Sequence, residues 1–306
     1  MSQLSPVRLA AALLLAVACA TPAFVQADFS GHWAPLFHED RPERLPGPEL
    51  GDYLGIPLSE AGRLRADSYD GDRISVVQEY QCRPHAGDYM MRGLANMRVD
   101  AIRDPVTNRL TAYHLRMGFQ EMERTIYLDG RPRPSPNAPY TWSGFSVGTW
   151  QDNVMNVYTT HLKENYIRRN GIPASDKRTF TEHWVRHGNY LTVQTVITDP
   201  VILTEPLVRS QSWFLDPGQR AGLFPCEYVP EVPAEPGTVP HHLPGTNPNL
   251  QDYLNWYAVP AEGARGGAET LYPEFQSKLR SYKPKDRCER FCNCVGFAGC
   301  LSVTAP

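Results

Sequence analysis

Four ionisable side chains stand in segments that otherwise alternate like β-strands: Arg124, His161, Glu182 and His183. An imidazole changes charge near neutral pH, so His161 on an apolar strand face could act as base, acid or metal ligand. A plainer role is a core histidine bonded to a backbone carbonyl or to Thr159. Strand alternation puts His161 with Met155, Val157 and Thr159, and Glu182 with Phe180 and Trp184. A carboxylate buried beside two aromatic rings suits a general acid. His183 takes the opposite face from Glu182, so only one of the two points inward. Arg124 shares its face with Met122, Ile126 and Leu128 and requires a partner there. Glu182, another internal carboxylate or an anionic ligand group would serve. His114 is a further candidate on a neighbouring strand.

Trp142, Tyr140 and Trp150 are aromatic enough to line a ligand pocket, although strand aromatics commonly fill a core. Gly144-Phe145-Ser146-Val147-Gly148 spells the hydrolase elbow, but inside a strand hairpin rather than at a strand-to-helix turn. We find no phosphate loop, dinucleotide fingerprint or His-Glu-x-x-His run, and no residue pattern that calls for a metal or cofactor. The His241-His242 pair lies in a proline-rich surface stretch. Arg168-Arg169-Asn170-Gly171 reads as a solvated turn.

The elements that position these residues are short strands. From Met97 the hydrophobic period becomes two. Strands are predicted over 97–103, 109–118, 122–128, 143–150, 153–162, 177–186, 190–198 and 205–215. Asp104-Pro105, Asp129-Gly130, Gln151-Asp152-Asn153 and His187-Gly188-Asn189 supply the turns. About eight antiparallel strands avoid open edges best by closing into a barrel, whose interior admits packed side chains or one small ligand. A short helix is predicted over 58–69, capped by Ser59, and two more over 250–257 and 269–282, the last interrupted at Pro273. The segment 80–93 reads as an irregular loop anchored by Cys82.

The chain has 306 residues with a formal net charge of -3, which gives no electrostatic reason for a nucleic-acid partner. Arg8, the apolar run Leu9–Ala18 and the small residues of Val25-Gln26-Ala27 make a secretory leader over residues 1–27. Cys19 opens a lipoprotein alternative, against which Ala16 counts. The apolar run is short for a bilayer span, and no later segment offers one. The barrel domain is assigned to 28–226 and a proline-rich arm with a cysteine-rich tail to 227–306. Beyond the leader stand Cys82, Cys226, Cys288, Cys292, Cys294 and Cys300. An even count in an exported chain reads as disulfides, with Cys82 to Cys226 and the remaining four among themselves. The tail spacing does not match zinc knuckles.

Two resemblances add to this. Gly31-His32-Trp33 at the mature start resembles the first strand of lipocalin-like barrels, where the tryptophan plugs one end. Arg124–Pro132, the alternating run Trp142, Gly144, Ser146, Gly148 and Trp150, and Thr159-Thr160-His161 carry the second. So do Arg168–Pro173, Thr181-Glu182-His183, Thr204-Glu205-Pro206 and Gly266–Thr270. Over roughly residues 29–280 the chain resembles a family of exported bacterial proteins. The resemblance implies a periplasmic or secreted location and no particular reaction.

The expectation is therefore a mainly β, lipocalin-like antiparallel barrel with a loop-rich C-terminal arm carrying short helices, exported and monomeric. Three functions are open. One is binding of a small amphipathic or aromatic molecule by Arg124, His114, Trp142, Thr159 and Trp150. The second is cofactor-free acid/base catalysis by His161, Glu182 and His183. The third is a structural or interaction protein whose barrel is filled.

Overall fold

The computed structural model describes residues 26–36, 49–222, 225–251, 253–254 and 259–281. Residues 1–25 of the predicted leader with Cys19, the predicted tail disulfides and much of the predicted helix over 250–257 lie outside them. Nine strands close into a barrel: β1 (Gly31–Pro35), β2 (Met97–Arg103), β3 (Leu110–Met117), β4 (Met122–Tyr127), β5 (Phe145–Gln151), β6 (Val154–Thr160), β9 (Thr179–His187), β10 (Tyr190–Thr198) and β11 (Leu207–Leu215). The eight expected strands are all present. The ninth is β1, which carries the Gly-x-Trp and closes the barrel by pairing with both β2 and β11. A two-stranded ribbon of β7 (Asn165–Tyr166) and β8 (Pro173–Ala174) stands apart.

One pairing departs from the antiparallel expectation. β4 and β5 run parallel, with Ile126 opposite Ser146. Parallel neighbours need a crossover, and residues 128–144 provide it. Prolines 132, 134, 136 and 139 keep this segment extended. Its arginines fasten it to the outer wall: Arg131 lies 3.7 Å over the Tyr127 ring and Arg133 4.1 Å over Tyr158.

Strand alternation fills the barrel. Trp33, Met97, Val99, Tyr113, Leu115, Met117, Met122, Met155, Trp184 and Trp213 are buried in one continuous apolar cluster. At one end Phe29 stacks on Trp150 at 5.5 Å and meets Tyr113 and Trp184 edge-on. The Trp33 indole donates to Phe29 O, with Arg186 over its ring. The opposite end is covered by a second apolar cluster drawn from residues 53–66, Ala86, 162–174 and 197–203. Helix α1 (Glu60–Asp67) belongs to this cap. As expected, Ser59 opens it by accepting from Gly62 N at 3.0 Å. Helix α2 (Gly87–Met90) is wholly buried.

The C-terminal arm is stitched to this cap. Cys82 and Cys226 form the expected disulfide. Gly55 N donates to Thr270 Oγ1, and Arg265 holds the Asp67 carboxylate with two bonds of 2.8 and 2.5 Å. Helices α3 (Ala261–Ala264) and α4 (Pro273–Leu279) are short, and α4 starts at Pro273, where the sequence breaks the helical run.

Candidate functional site

The inward faces of β4, β5, β6 and β9 each contribute one polar side chain: Arg124, Ser146, Thr159 and Glu182. Barrel order makes these strands neighbours, with Ser146 opposite Thr159 and Val157 opposite Glu182. Arg124 uses the whole guanidinium. Its Nε donates to Ser146 Oγ at 2.9 Å and Nη1 to Glu182 Oε1 at 2.9 Å. Its Nη2 donates to Thr159 Oγ1 at 2.9 Å and to Glu182 Oε2 at 2.5 Å. The Phe180 ring lies 4.9 Å away. The side chains of Arg124 and Glu182 are 1% and 0% exposed.

The cap seals this cluster. A Cβ on Gly87 would sit 2.9 Å from Ser143 O and 3.4 Å from Arg124 Cδ, so the α2 backbone lies directly against the arginine. Chemically the arrangement is closed. Both carboxylate oxygens of Glu182 accept from Arg124, and an incoming anion would have to displace Glu182, Ser146 or Thr159. A fork-to-fork pair of this kind fixes how four strands meet.

Among the residues singled out from the sequence, the structure unites Arg124, Glu182 and Thr159 and separates the others from them. His161 does not share the inward face with Thr159. β6 ends at Thr160, and His161 takes a left-handed backbone (φ 59°) that breaks the alternation. Its ring bridges Thr160 Oγ1 at 2.8 Å and Ser135 O of the crossover at 2.9 Å, near Tyr140. His183 points outward to Asn156 Oδ1 at 2.6 Å. His114 meets Thr125 Oγ1 at 3.2 Å and Glu123 at 4.0 Å on the outer wall. Trp142 has Lys163 Nζ 5.0 Å over its ring. Trp150 belongs to the far plug.

The cap holds a second set of buried polar residues, several of them in segments whose sequence reads as loop or turn. Arg178 pairs with Asp88 at 3.3 Å and donates to Lys163 O and Ser175 O. Arg168 and Asn170, expected in a solvated turn, are buried, with Asn170 held on Glu49 O and Asp52 O. His85 stacks on Tyr89 at 4.0 Å and meets Glu79 Oε1 at 2.9 Å. Burial works to raise the Glu79 carboxyl, but the bond and charge of His85 outweigh it and hold it below its ordinary value. Burial pushes the Tyr53 phenol up, helped by the Asp67 carboxylate, and raises Tyr69 and Tyr166 likewise. One signal was available for this layer: Ala86, Tyr89, Met90 and Met91 give the segment after Cys82 an apolar content unusual for an exposed loop.

Outside the barrel, Leu94, Ala95, Asn96, Gly118, Phe119, Arg220 and Gly222 line an open hollow of about 310 Å³. Among the described residues, no group of three His, Cys, Asp or Glu side chains is placed to hold a metal, and no helix is long and apolar enough to cross a membrane. Comparison with family models, with curated proteins and with solved structures finds no match.

Proposed function

We propose that this is an exported, monomeric barrel protein of the third kind set out above, one that works through its outer surface. The supporting observation is the state of the lumen. Tryptophan and methionine side chains occupy it, and Arg124, Glu182, Ser146 and Thr159 satisfy one another. A catalytic or ligand-binding lumen needs a polar group directed at free space; the indole nitrogens of Trp184 and Trp213 lack a partner, but both rings lie packed within the apolar cluster. The test is native mass spectrometry of the protein purified from its exporting host. The expected mass is that of the processed polypeptide with its disulfides. A stoichiometric small molecule that is retained by the wild type and lost in Thr159→Val overturns the proposal.

A second reading keeps the small amphipathic or aromatic ligand but moves it to the external hollow. Leu94, Ala95 and Phe119 offer an apolar wall there, with the Arg220 guanidinium at the rim. The anionic aromatic dye anilinonaphthalene sulfonate is a suitable probe. Binding that Arg220→Glu abolishes supports this reading, and an absence of binding removes it.

A further inference from the structure

The outer wall of the barrel is electrically divided. On β2, β3 and β4 it carries ordinary surface ion pairs, Arg98 with Asp100 and Arg116 with Glu123, each at 2.9 Å. On β9, β10 and β11 the outward positions from Thr179 to Phe214 contain no Asp, Glu, Lys or Arg. The two arginines of these strands belong to the other side. Arg186 shares the side of Trp184 and lies over Trp33, and Arg209 shares the side of Gln211 and donates to Ile167 O. Soluble surfaces ordinarily place charges at about a quarter to a third of positions, so three adjacent strands without one form an uncharged patch; β5 and β6 beside it also lack outward charges of their own, but the crossover lays Arg133 over Tyr158 there.

The patch is polar without being charged. Register brings Thr192 opposite Ser212 and Gln194 opposite both His183 and Ser210. The Thr192 and Ser212 hydroxyls are 2.9 Å apart. At one end Tyr190 and Phe214 form an edge-on aromatic pair at 5.4 Å, exposed by 50% and 36%. Exposed Val185 and Val208 lie on the same wall.

From this we infer that the β9–β11 wall is a binding face for a neutral polysaccharide. The inference rests on the surface-acting reading above and gives that surface a partner class. A charged polymer would be desolvated here without a counter-charge. An apolar or lipid partner would strand the hydroxyl and amide groups of Thr192, Gln194 and Ser212. Protein interfaces are typically enriched in arginine and depleted in serine, whereas this wall has serine and lacks arginine. A neutral sugar chain matches both parts of the face. Its hydroxyls exchange hydrogen bonds with Thr, Ser and Gln, and its axial C–H groups lie against the electron-rich faces of Tyr190 and Phe214.

Affinity electrophoresis of the mature, oxidised protein tests this, with amylose and hydroxyethyl cellulose as neutral probes and polygalacturonate as the acidic one. We expect retardation by at least one neutral glucan that persists when salt is raised. The Tyr190→Ala/Phe214→Ala variant should bind about tenfold more weakly, as for loss of a central aromatic contact. Arg116→Ala/Glu123→Ala, on the opposite wall, should bind as wild type. Circular dichroism confirms that each variant is folded. The inference is overturned if neither neutral glucan retards the protein, if the aromatic variant binds unchanged, or if polygalacturonate binds equally well. It is also overturned if sedimentation shows a dimer that the aromatic variant dissolves, since the occupant would then be a second copy. A small molecule retained in the lumen would refute the filled-barrel reading on its own, whatever the glucan result.

Discussion

The Arg124 guanidinium and the Glu182 carboxylate face each other fork to fork inside the barrel, with Nη1–Oε1 at 2.9 Å and Nη2–Oε2 at 2.5 Å. They come from β4 and β9, strands that do not touch, and Ser146 and Thr159 fill the strands between. The cluster therefore ties a quarter-turn or more of the barrel wall together through its interior. Its removal has an asymmetric cost. Glu182→Leu leaves a buried guanidinium unpaired and should destabilise the fold by about 3–5 kcal/mol. Arg124→Met should do the same. The double variant should recover much of that loss, because two apolar groups of similar volume strand no charge. Denaturant unfolding of the four proteins measures the coupling, and simple additivity of the two losses would show that the pair is not held as described.

Alkaline titration reads the cap and the plug. Tyr53, Tyr69, Tyr113 and Tyr166 all have phenols raised chiefly by burial. A raised folded value favours the protonated form in the fold. The resulting stability is fully present below the ordinary tyrosine value of about 10 and is lost as pH climbs through the raised values. The protein has 15 tyrosines. Tyrosinate absorbance should therefore rise in two stages, the exposed rings first and these four only with loss of near-ultraviolet dichroism. A single reversible stage with the fold intact would contradict their burial.

Much of this architecture is legible in the residues. Period-two alternation places β9 and β10 within two residues of their observed bounds, and it groups Arg124, Glu182 and Thr159 with the apolar residues of their strands, the faces that the structure turns inward. Alternation is a rule about regular backbone, and it fails where the backbone is irregular. His161 stands one residue beyond β6 with φ 59°, so its expected face does not exist. The parallel β4–β5 pair was hidden because its crossover is written in prolines and arginines, which locally read as loop. The buried ion pairs of Asp88 and Arg178, 90 residues apart, depend on tertiary placement that no local period encodes. The filled lumen is a matter of volumes, and a strand pattern gives faces without saying how much space lies between them.

Two glycines of the β4–β5 crossover separate conformational strain from crowding. Gly130 and Gly144 both have left-handed backbone, φ 76° and 72°. Around Gly130 nothing lies within 4 Å of an added Cβ, so Gly130→Ala should cost only the backbone penalty of about 1 kcal/mol. At Gly144 the added carbon meets Thr160 O at 2.7 Å and Thr159 Cγ2 at 2.8 Å. Gly144→Ala should therefore cost about 2 kcal/mol more, by forcing β5 and β6 apart next to Thr159. Equal midpoints for the two variants would mean that the β5–β6 junction relaxes freely.

The Cys82–Cys226 disulfide closes the longest covalent loop among the described residues, with a sequence separation of 144. It joins the segment that runs into buried α2 to the start of the C-terminal arm. Beyond the disulfide the arm is held to the cap by polar contacts, among them Val229 N to Tyr80 O at 3.0 Å and Glu231 Oε2 accepting from Ser75 N at 2.9 Å. Contacts of that kind contribute about 1 kcal/mol each. Cross-linking a loop of this length restricts the unfolded chain by up to about 5 kcal/mol in the loop-entropy model. Cys82→Ser/Cys226→Ser should therefore unfold at clearly lower denaturant while keeping the barrel's far-ultraviolet spectrum, since neither residue lies in a barrel strand. Limited proteolysis should then cut first in residues 225–247, where the prolines leave an exposed chain with little regular structure. An unchanged midpoint and unchanged cleavage would mean that the arm's polar contacts hold it to the cap without the disulfide.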